Sequence, residues 1–254
     1  MTDPILKGPI LKVQGLNKHF GGVVATDNLD FDVEPGEIHA VIGPNGAGKT
    51  TFVAQIAGMI KSDSGSIMFD GGEIAGLSAH ARSRRGLARS FQITSIFKEF
   101  TVIENVAMSI QAHDGHSFRF WRRANTDPAL MDPARALLDR VGLGARAEIV
   151  ASNLAHGEQR QLEIAMALAT GPKLLLLDEP TAGMGPEDSQ SMAAFLRDIK
   201  GEYSMLLIEH DMDTVFALAD RITVLVYGRA IATGTPEEIR GNDEVRAAYL
   251  GEEA

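Results

Sequence analysis

The sequence predicts an α/β protein with a parallel sheet at its centre, and three observations point there. Short β-branched or leucine-rich runs alternate with longer helix-like stretches, which favours one layered α/β unit over separate helical and sheet parts. Lys173 to Leu177 carries four consecutive leucines, the pattern of a strand covered on both faces. Ile38 to Ile42 reads as a second short buried strand, and a glycine-rich segment begins at its end.

Composition narrows the class. The chain has 254 residues, 24 basic against 34 acidic side chains, a net charge of −10, no cysteine and 44% hydrophobic residues. A chain of this length buries about three quarters of the surface its unfolded form exposes, so it needs no disulfide or metal staple. The missing cysteines exclude thiol redox chemistry and cysteine-ligated zinc. The acidic excess argues against nucleic acid or an anionic lipid surface as partner. No run approaches the roughly 18 to 20 apolar residues of a membrane helix, and Met1 to Pro9 lacks the apolar core of a signal peptide. A cytoplasmic protein is expected, with any membrane association made through a partner.

Taken in order, Leu29, Phe31 and Val33 alternate with Asp30, Asp32 and Glu34 as in a half-exposed strand, and Glu34-Pro35-Gly36 supplies a turn. After Ile38 to Ile42 comes Gly43-Pro44-Asn45-Gly46-Ala47-Gly48-Lys49-Thr50, two glycines five apart followed by Lys and Thr. Glycines let this backbone turn tightly, so that successive N–H groups and the start of the next helix face phosphate oxygens. Lys49 can bridge the β- and γ-phosphates and the Thr50 hydroxyl can ligate Mg²⁺, so residues Gly43 through Thr50, with the adjacent Thr51, are the candidate contacts to ATP. Asp178 and Glu179 close the leucine strand, where open α/β sheets place their ligands. Asp178 is the candidate holder of Mg²⁺ and Glu179 the candidate polariser of the attacking water. Near the end, Thr235-Pro236-Glu237-Glu238 predicts a capped helix stopping near Gly241, and a last helix is expected over Asp243 to Leu250.

Between these motifs, Asn153-Leu154-Ala155-His156-Gly157-Glu158-Gln159-Arg160-Gln161 opens a helix and resembles the signature segment of the ATP-binding cassette ATPases. The resemblance covers essentially the whole chain. It implies that Phe20 stacks on adenine, that Gln92 in Ser90-Phe91-Gln92 contacts nucleotide and Mg²⁺, and that His210 in Ile208-Glu209-His210-Asp211 senses the γ-phosphate. It also implies that Ala155, His156, Gly157 and Glu158 bind ATP held by an opposite subunit. Within the family, His19-Phe20-Gly21-Gly22, Asn153 to Ala165, Leu206 to Met212 and the ending from Gly234-Thr235-Pro236 to Gly251 resemble ATPase subunits of high-affinity branched-chain amino acid importers. Importers of amides or urea, and lipid or polysaccharide exporters, share most of these motifs.

The implied fold is a single P-loop cassette over residues 1–254, with a mainly parallel sheet, an N-terminal antiparallel β part and a helical subdomain inserted at about 93–168. The implied partners are two membrane permease subunits docking near Ile96 to Val102, a second ATPase subunit of the same or a related sequence and, indirectly, an extracytoplasmic substrate-binding protein. The implied location is peripheral, at the cytoplasmic face of the bacterial inner membrane. Two departures stand out: Ala155 replaces the usual signature serine, and Gly185 stands where the family has an acidic residue spanning the dimer interface.

Several residues carry competing readings. Phe20 is a core aromatic or an adenine platform, and His210 is a surface cap or a phosphate sensor. Phe118-Arg119-Phe120-Trp121-Arg122-Arg123 is a packed insertion loop or a basic aromatic platform for nucleic acid, the first being favoured in an acidic chain. Asn17-Lys18-His19-Phe20 lacks the acid that a guanine-reading element needs. Glu209-His210-Asp211 and His113-Asp114-Gly115-His116 are not read as metal sites, because adjacent residues do not all face one ion.

Overall fold

The computed structural model describes residues 8–90, 96–114 and 127–250, in two sheets. The first is antiparallel, with β1 (Leu11–Phe20), β2 (Val23–Val33), β4 (Ser64–Phe69) and β5 (Gly72–Glu73) in the order β2-β1-β4-β5. The second holds β3 (Ile38–Ile42), β6 (Leu87–Arg89), β7 (Leu174–Asp178), β8 (Ser204–Ile208), β9 (Arg221–Val226) and β10 (Arg229–Gly234), in the order β10-β9-β3-β8-β7-β6. Its neighbours are parallel except for the β9–β10 hairpin. The expected α/β class, with its antiparallel N-terminal part, is what the chain forms.

Burial follows the strand period. In β2, Leu29, Phe31 and Val33 are buried while Asp30 is exposed, as their alternation with acids predicts. In β7 every residue is buried, because the sheet has a core on each face. Leu174 and Leu176 face one core, in which Phe52, Val53 and Ile56 of α1 (Lys49–Ile56) pack between Leu11 and Phe31 of the antiparallel sheet and Val41 and Ile208 of the parallel sheet. Leu175 and Leu177 face the other core, built with α3 (Val102–Asp114), α4 (Pro128–Arg140), α5 (His156–Leu168), α6 (Pro186–Asp198) and α7 (Met212–Leu218). A continuous leucine run is what two apolar faces require.

The described chain between β6 and β7 is helical, with α3 packed on α4 and α5 and short 3₁₀ turns at Gly144–Arg146 and Ala151–Asn153. The predicted terminal helices form as α8 (Pro236–Arg240) and α9 (Asp243–Leu250). Glu238 Oε2 accepts from the Thr235 N–H at 2.7 Å, and Thr235 Oγ1 accepts from the Glu238 N–H at 3.3 Å.

Two buried polar groups brace the frame. Arg82, in α2 (Ala79–Ser83), donates to the carbonyls of Gln55 (2.7 Å) and Ile56 (2.6 Å) at the end of α1, and to those of Ala75 and Leu77. It closes the carboxyl end of the helix whose other end starts at Lys49. His39, the second residue of β3, places Nδ1 2.7 Å from the Asp32 carbonyl and Nε2 2.8 Å from Thr223 Oγ1, tying β2, β3 and β9 together. Arg221 bonds Glu37 and Asp32 beside it.

Burial lowers the His39 pKa from 6.5 to about 4, outweighing the favourable effect of Glu37. The unfolded chain therefore takes up this proton at a higher pH than the folded one, so stability falls as pH drops from 6.5 toward 4. At pH 5 His39 should lower the unfolding free energy by about 2 kcal/mol relative to pH 7.5. Denaturant unfolding at the two pH values checks this, and His39→Gln should remove that increment of pH dependence.

Candidate active site

The register of β3, β8 and β7 builds the site. Ile208 pairs with Val41 on one side and with Asp178 on the other, so the three parallel strands end level, about 10 Å from first to third. Gly43 to Gly48, Glu179 and His210 all follow these ends.

The loop from Gly43 to Gly48 leads from β3 into α1. Gly48 has φ 102°, and a Cβ there would run into the Ala25 carbonyl, so glycine is required for conformation and for space. The Ala47 carbonyl accepts from the Gly228 N–H (2.8 Å), and the Gly228 carbonyl accepts from the Asp27 N–H (2.9 Å), bracing the loop between β2 and the β9–β10 turn. Helix α1 has no side-chain cap at its start and no acid in its first turn. Its first N–H groups and the positive end of its dipole are left for an anion. Asn45, Gly46 and Thr50 are exposed, Pro44 and Thr51 half-buried, and Ala47 buried. The Lys49 ammonium donates to the carbonyls of Gly43 (2.5 Å) and Pro44 (3.0 Å), which holds the cation over its own loop.

Asp178 is 2% exposed, and its Oδ2 accepts from Arg89 Nη2 at 3.0 Å. Glu179 adopts φ 48°, a left-handed conformation that carries about 1–3 kcal/mol of strain in a non-glycine residue. Its N–H donates to the Ile208 carbonyl (2.9 Å), the last rung joining β7 and β8. His210 is solvent-facing, with Nδ1 3.8 Å from Glu179 Oε1 and 3.7 Å from Glu209 Oε2. The capping considered for His210 is performed by Asp211, which accepts from the Asp213 N–H (3.1 Å) and the Thr214 hydroxyl (2.7 Å) at the start of α7. Phe20, at the end of β1, is exposed rather than core, with the Lys18 ammonium 5.3 Å from its ring. Gln92 and the segment Phe118 to Arg123 lie outside the described residues, as do Gly115 and His116.

The signature-like residues open α5 and make different contacts. Ala155 is the N-cap and offers no side-chain acceptor. Glu158 instead reaches back to the Ala155 N–H (2.9 Å), while its other oxygen accepts from Arg146 Nε (2.9 Å). The His156 ring lies against Gly183, and Gly157 faces Asp188, where a Cβ would come 3.2 Å from Oδ2. The α5 start is thus fixed by residues 146, 183 and 188, and the 43–50 loop by residues 27 and 228.

The sequence assigned no role to two residues here: Arg89 on Asp178, and Glu209 between Thr181 and His210, which it offered only to be set aside as a metal ligand. Both were legible only as charges next to motif residues. Their partners are set by the sheet register, which single-chain spacing does not reveal.

Comparison with known proteins places this geometry. The family model described as "ABC transporter" matches residues 26–182, and that described as "Branched-chain amino acid ATP-binding cassette transporter" matches residues 231–254. The high-affinity branched-chain amino acid transport ATP-binding protein LivG of Escherichia coli K12 is 41% identical over 253 residues, covering 96% of this chain and 98% of its own length. BraF of Pseudomonas aeruginosa, with the same description, is 40% identical at the same coverage. The lipopolysaccharide export system ATP-binding protein LptB of Haemophilus influenzae is 31% identical over 96% of this chain and 98% of its own. Among solved structures, the ADP conformation of an ATP-binding cassette from an ABC transporter superposes with a TM-score of 0.85 at 29% identity, covering 96% of this chain and all of the other.

The bare N-cap of α5 yields a test. Ala155→Ser should supply the missing acceptor and raise the unfolding free energy by about 1 kcal/mol. ATP binding should be at least as tight as in the parent chain. Thermal unfolding and nucleotide titration check both effects, and a lower melting temperature or a clear loss of ATPase activity would show that alanine is required.

Proposed function

Because this chain belongs to the ABC transporter ATPase family, we propose that the strand ends described above form its hydrolytic site, with Glu179 and His210 as the catalytic pair. The observation that carries this reading is the shared level of Val41, Ile208 and Asp178, which brings the Lys49 loop, Glu179 and His210 to one edge of the sheet. Gly43 through Thr51 bind the phosphates through N–H groups, the start of α1 and the Lys49 ammonium. Phe20, exposed at the end of β1, stacks on adenine. Glu179 accepts a proton from the attacking water, and His210 contacts the γ-phosphate. The Thr50 hydroxyl and the Asp178 carboxylate are both oxygen donors, the chemistry Mg²⁺ takes. These two, with Gln92 as the third expected ligand, would hold Mg²⁺, which would supply charge neutralisation at the phosphates.

One chain carries only part of each complete site. Ala155, His156, Gly157 and Glu158 are fixed by contacts of their own, and in this reading they meet ATP held by a second ATPase subunit. Gly157 N–H and the α5 dipole supply the anion contact. The Glu158 carboxylate, already committed to the Ala155 N–H and Arg146, acts mainly by ordering this helix start.

Among the described residues no helix is long and apolar enough to cross a membrane. By its similarity to transporter ATP-binding subunits, the protein is read as a peripheral subunit at the cytoplasmic face of a bacterial inner membrane, driving two permease chains. Phe97 and Phe100 are 51% and 44% exposed and meet edge to face at 5.9 Å, an apolar pair within the Ile96 to Val102 segment expected to receive a permease helix. The similarity to LivG and BraF, and the match at residues 231–254, favour a branched-chain amino acid as cargo, delivered by an extracytoplasmic binding protein. The single cassette spans residues 1–254, with the helical segment between β6 and β7 as its inserted subdomain.

Glu179→Gln should bind MgATP as the parent chain does and hydrolyse it about 10²–10⁴ times more slowly. Cells depending on that variant should lose leucine uptake. Parent-like phosphate release would remove Glu179 from its role, and unchanged uptake would remove the importer assignment.

A further inference from the structure

Glu209 is 1% exposed and carries a carboxylate at the end of β8, a position that a neutral residue would fill with no charge to bury. Its Oε1 accepts from the N–H of Thr181 at 3.0 Å and from the hydroxyl of the same residue. Its Oε2 accepts from the His210 N–H at 3.1 Å. Among the described residues these are its hydrogen-bond donors, and none is cationic. Both neighbours belong to the loops that follow the level strand ends: Thr181 lies two residues after Glu179, and His210 begins the other loop. The Ala182 N–H returns to the Glu179 carbonyl (3.1 Å), so fixing Thr181 also fixes the turn that holds Glu179 at its positive φ. Beyond it, Gly183 rests against the His156 ring at the start of α5.

We propose that Glu209 is a positioning residue for ATP hydrolysis, a buried carboxylate that clamps the Glu179 turn to the His210 turn and sets the pose of the His210 ring. This rests on the reading of Glu179 and His210 as the catalytic pair. Nδ1 of His210 lies 3.7 Å from Glu209 Oε2 and 3.8 Å from Glu179 Oε1, so two acceptors of like charge flank the same ring nitrogen. At those separations the effect is electrostatic orientation rather than a hydrogen bond. It favours the hydrogen on Nδ1 and leaves Nε2 as the nitrogen that meets a ligand.

The test uses the full chain and steady-state ATP hydrolysis. Glu209→Gln keeps an acceptor for Thr181 but can turn an amide N–H₂ against the His210 N–H and removes one of the two charges. It should lower kcat about tenfold or more while the KM for ATP stays within about twofold, because the phosphate loop is untouched. If Glu209 acts through the ring, the effect should not multiply with His210→Ala: in that background Glu209→Gln should change kcat by less than about twofold. Thr181→Val, which removes only the hydroxyl donor, should lower kcat about threefold with the same lack of multiplication, and it serves as the test if Glu209→Gln does not fold. Parent-like kcat in the folded Glu209 variant, or in Thr181→Val where it stands in, overturns the proposal, as does a fully multiplicative loss with His210→Ala. Parent-like kcat in His210→Ala alone overturns the catalytic reading of His210 itself, a different failure.

Discussion

The backbone ladder joining β3, β8 and β7 is the constraint on which the site depends. Pairing of Ile208 with both Val41 and Asp178 makes three strands, far apart in sequence, finish at one level. A slip of one residue in any of them would reverse which side chains face each core, and with apolar cores on both sides such a slip is strongly opposed. The same register that buries Leu174 to Leu177 therefore delivers a glycine loop, an acid pair and a histidine turn to one edge. Fold and candidate site have a common cause here, since the placement of these loops is inherited from side chains buried in the two cores.

The loops at that edge depart from favourable local structure, and the frame compensates. Glu179 holds a positive φ, and α1 begins without a side-chain cap. Bracing comes from the protein around them: the Gly228 turn and β2 beneath the phosphate loop, Arg82 at the far end of α1, and the His39 contacts that tie β2, β3 and β9. These supports lie in regular structure or tight turns, whereas the candidate site residues lie on the connections or at the ends of the strands and helices they join. An uncapped helix start and a strained acid make poor stability elements, and both lie at the same edge of the sheet.

Much of this was legible in the sequence because it is local. The 43–50 loop, the strands around it, the acid pair and the Thr235 capping box are written in contiguous residues whose spacing has a physical meaning. What depends on register was not legible. Arg89 reaches Asp178 from the neighbouring strand, Arg82 reaches α1 from a short helix elsewhere, and Glu209 finds Thr181 through the pairing of β7 with β8. Glu158 shows the reverse difficulty. Family position places it among the nucleotide contacts, yet local chemistry commits its carboxylate to the N–H of a cap residue that has no side-chain acceptor of its own. The α5 start is in this sense ordered by an acid, since the N-cap alanine has no side-chain acceptor.

Hydrogen–deuterium exchange of the full chain, followed by peptide mass spectrometry with and without MgATP, tests the central claim most directly. If the level strand ends form one site, residues 43–51, 178–182 and 208–211 should gain protection together, along a single nucleotide titration, while residues 155–158 should gain it only at protein concentrations where two chains associate. Protection confined to residues 43–51, with the ends of β7 and β8 unchanged at saturating nucleotide, would contradict the account.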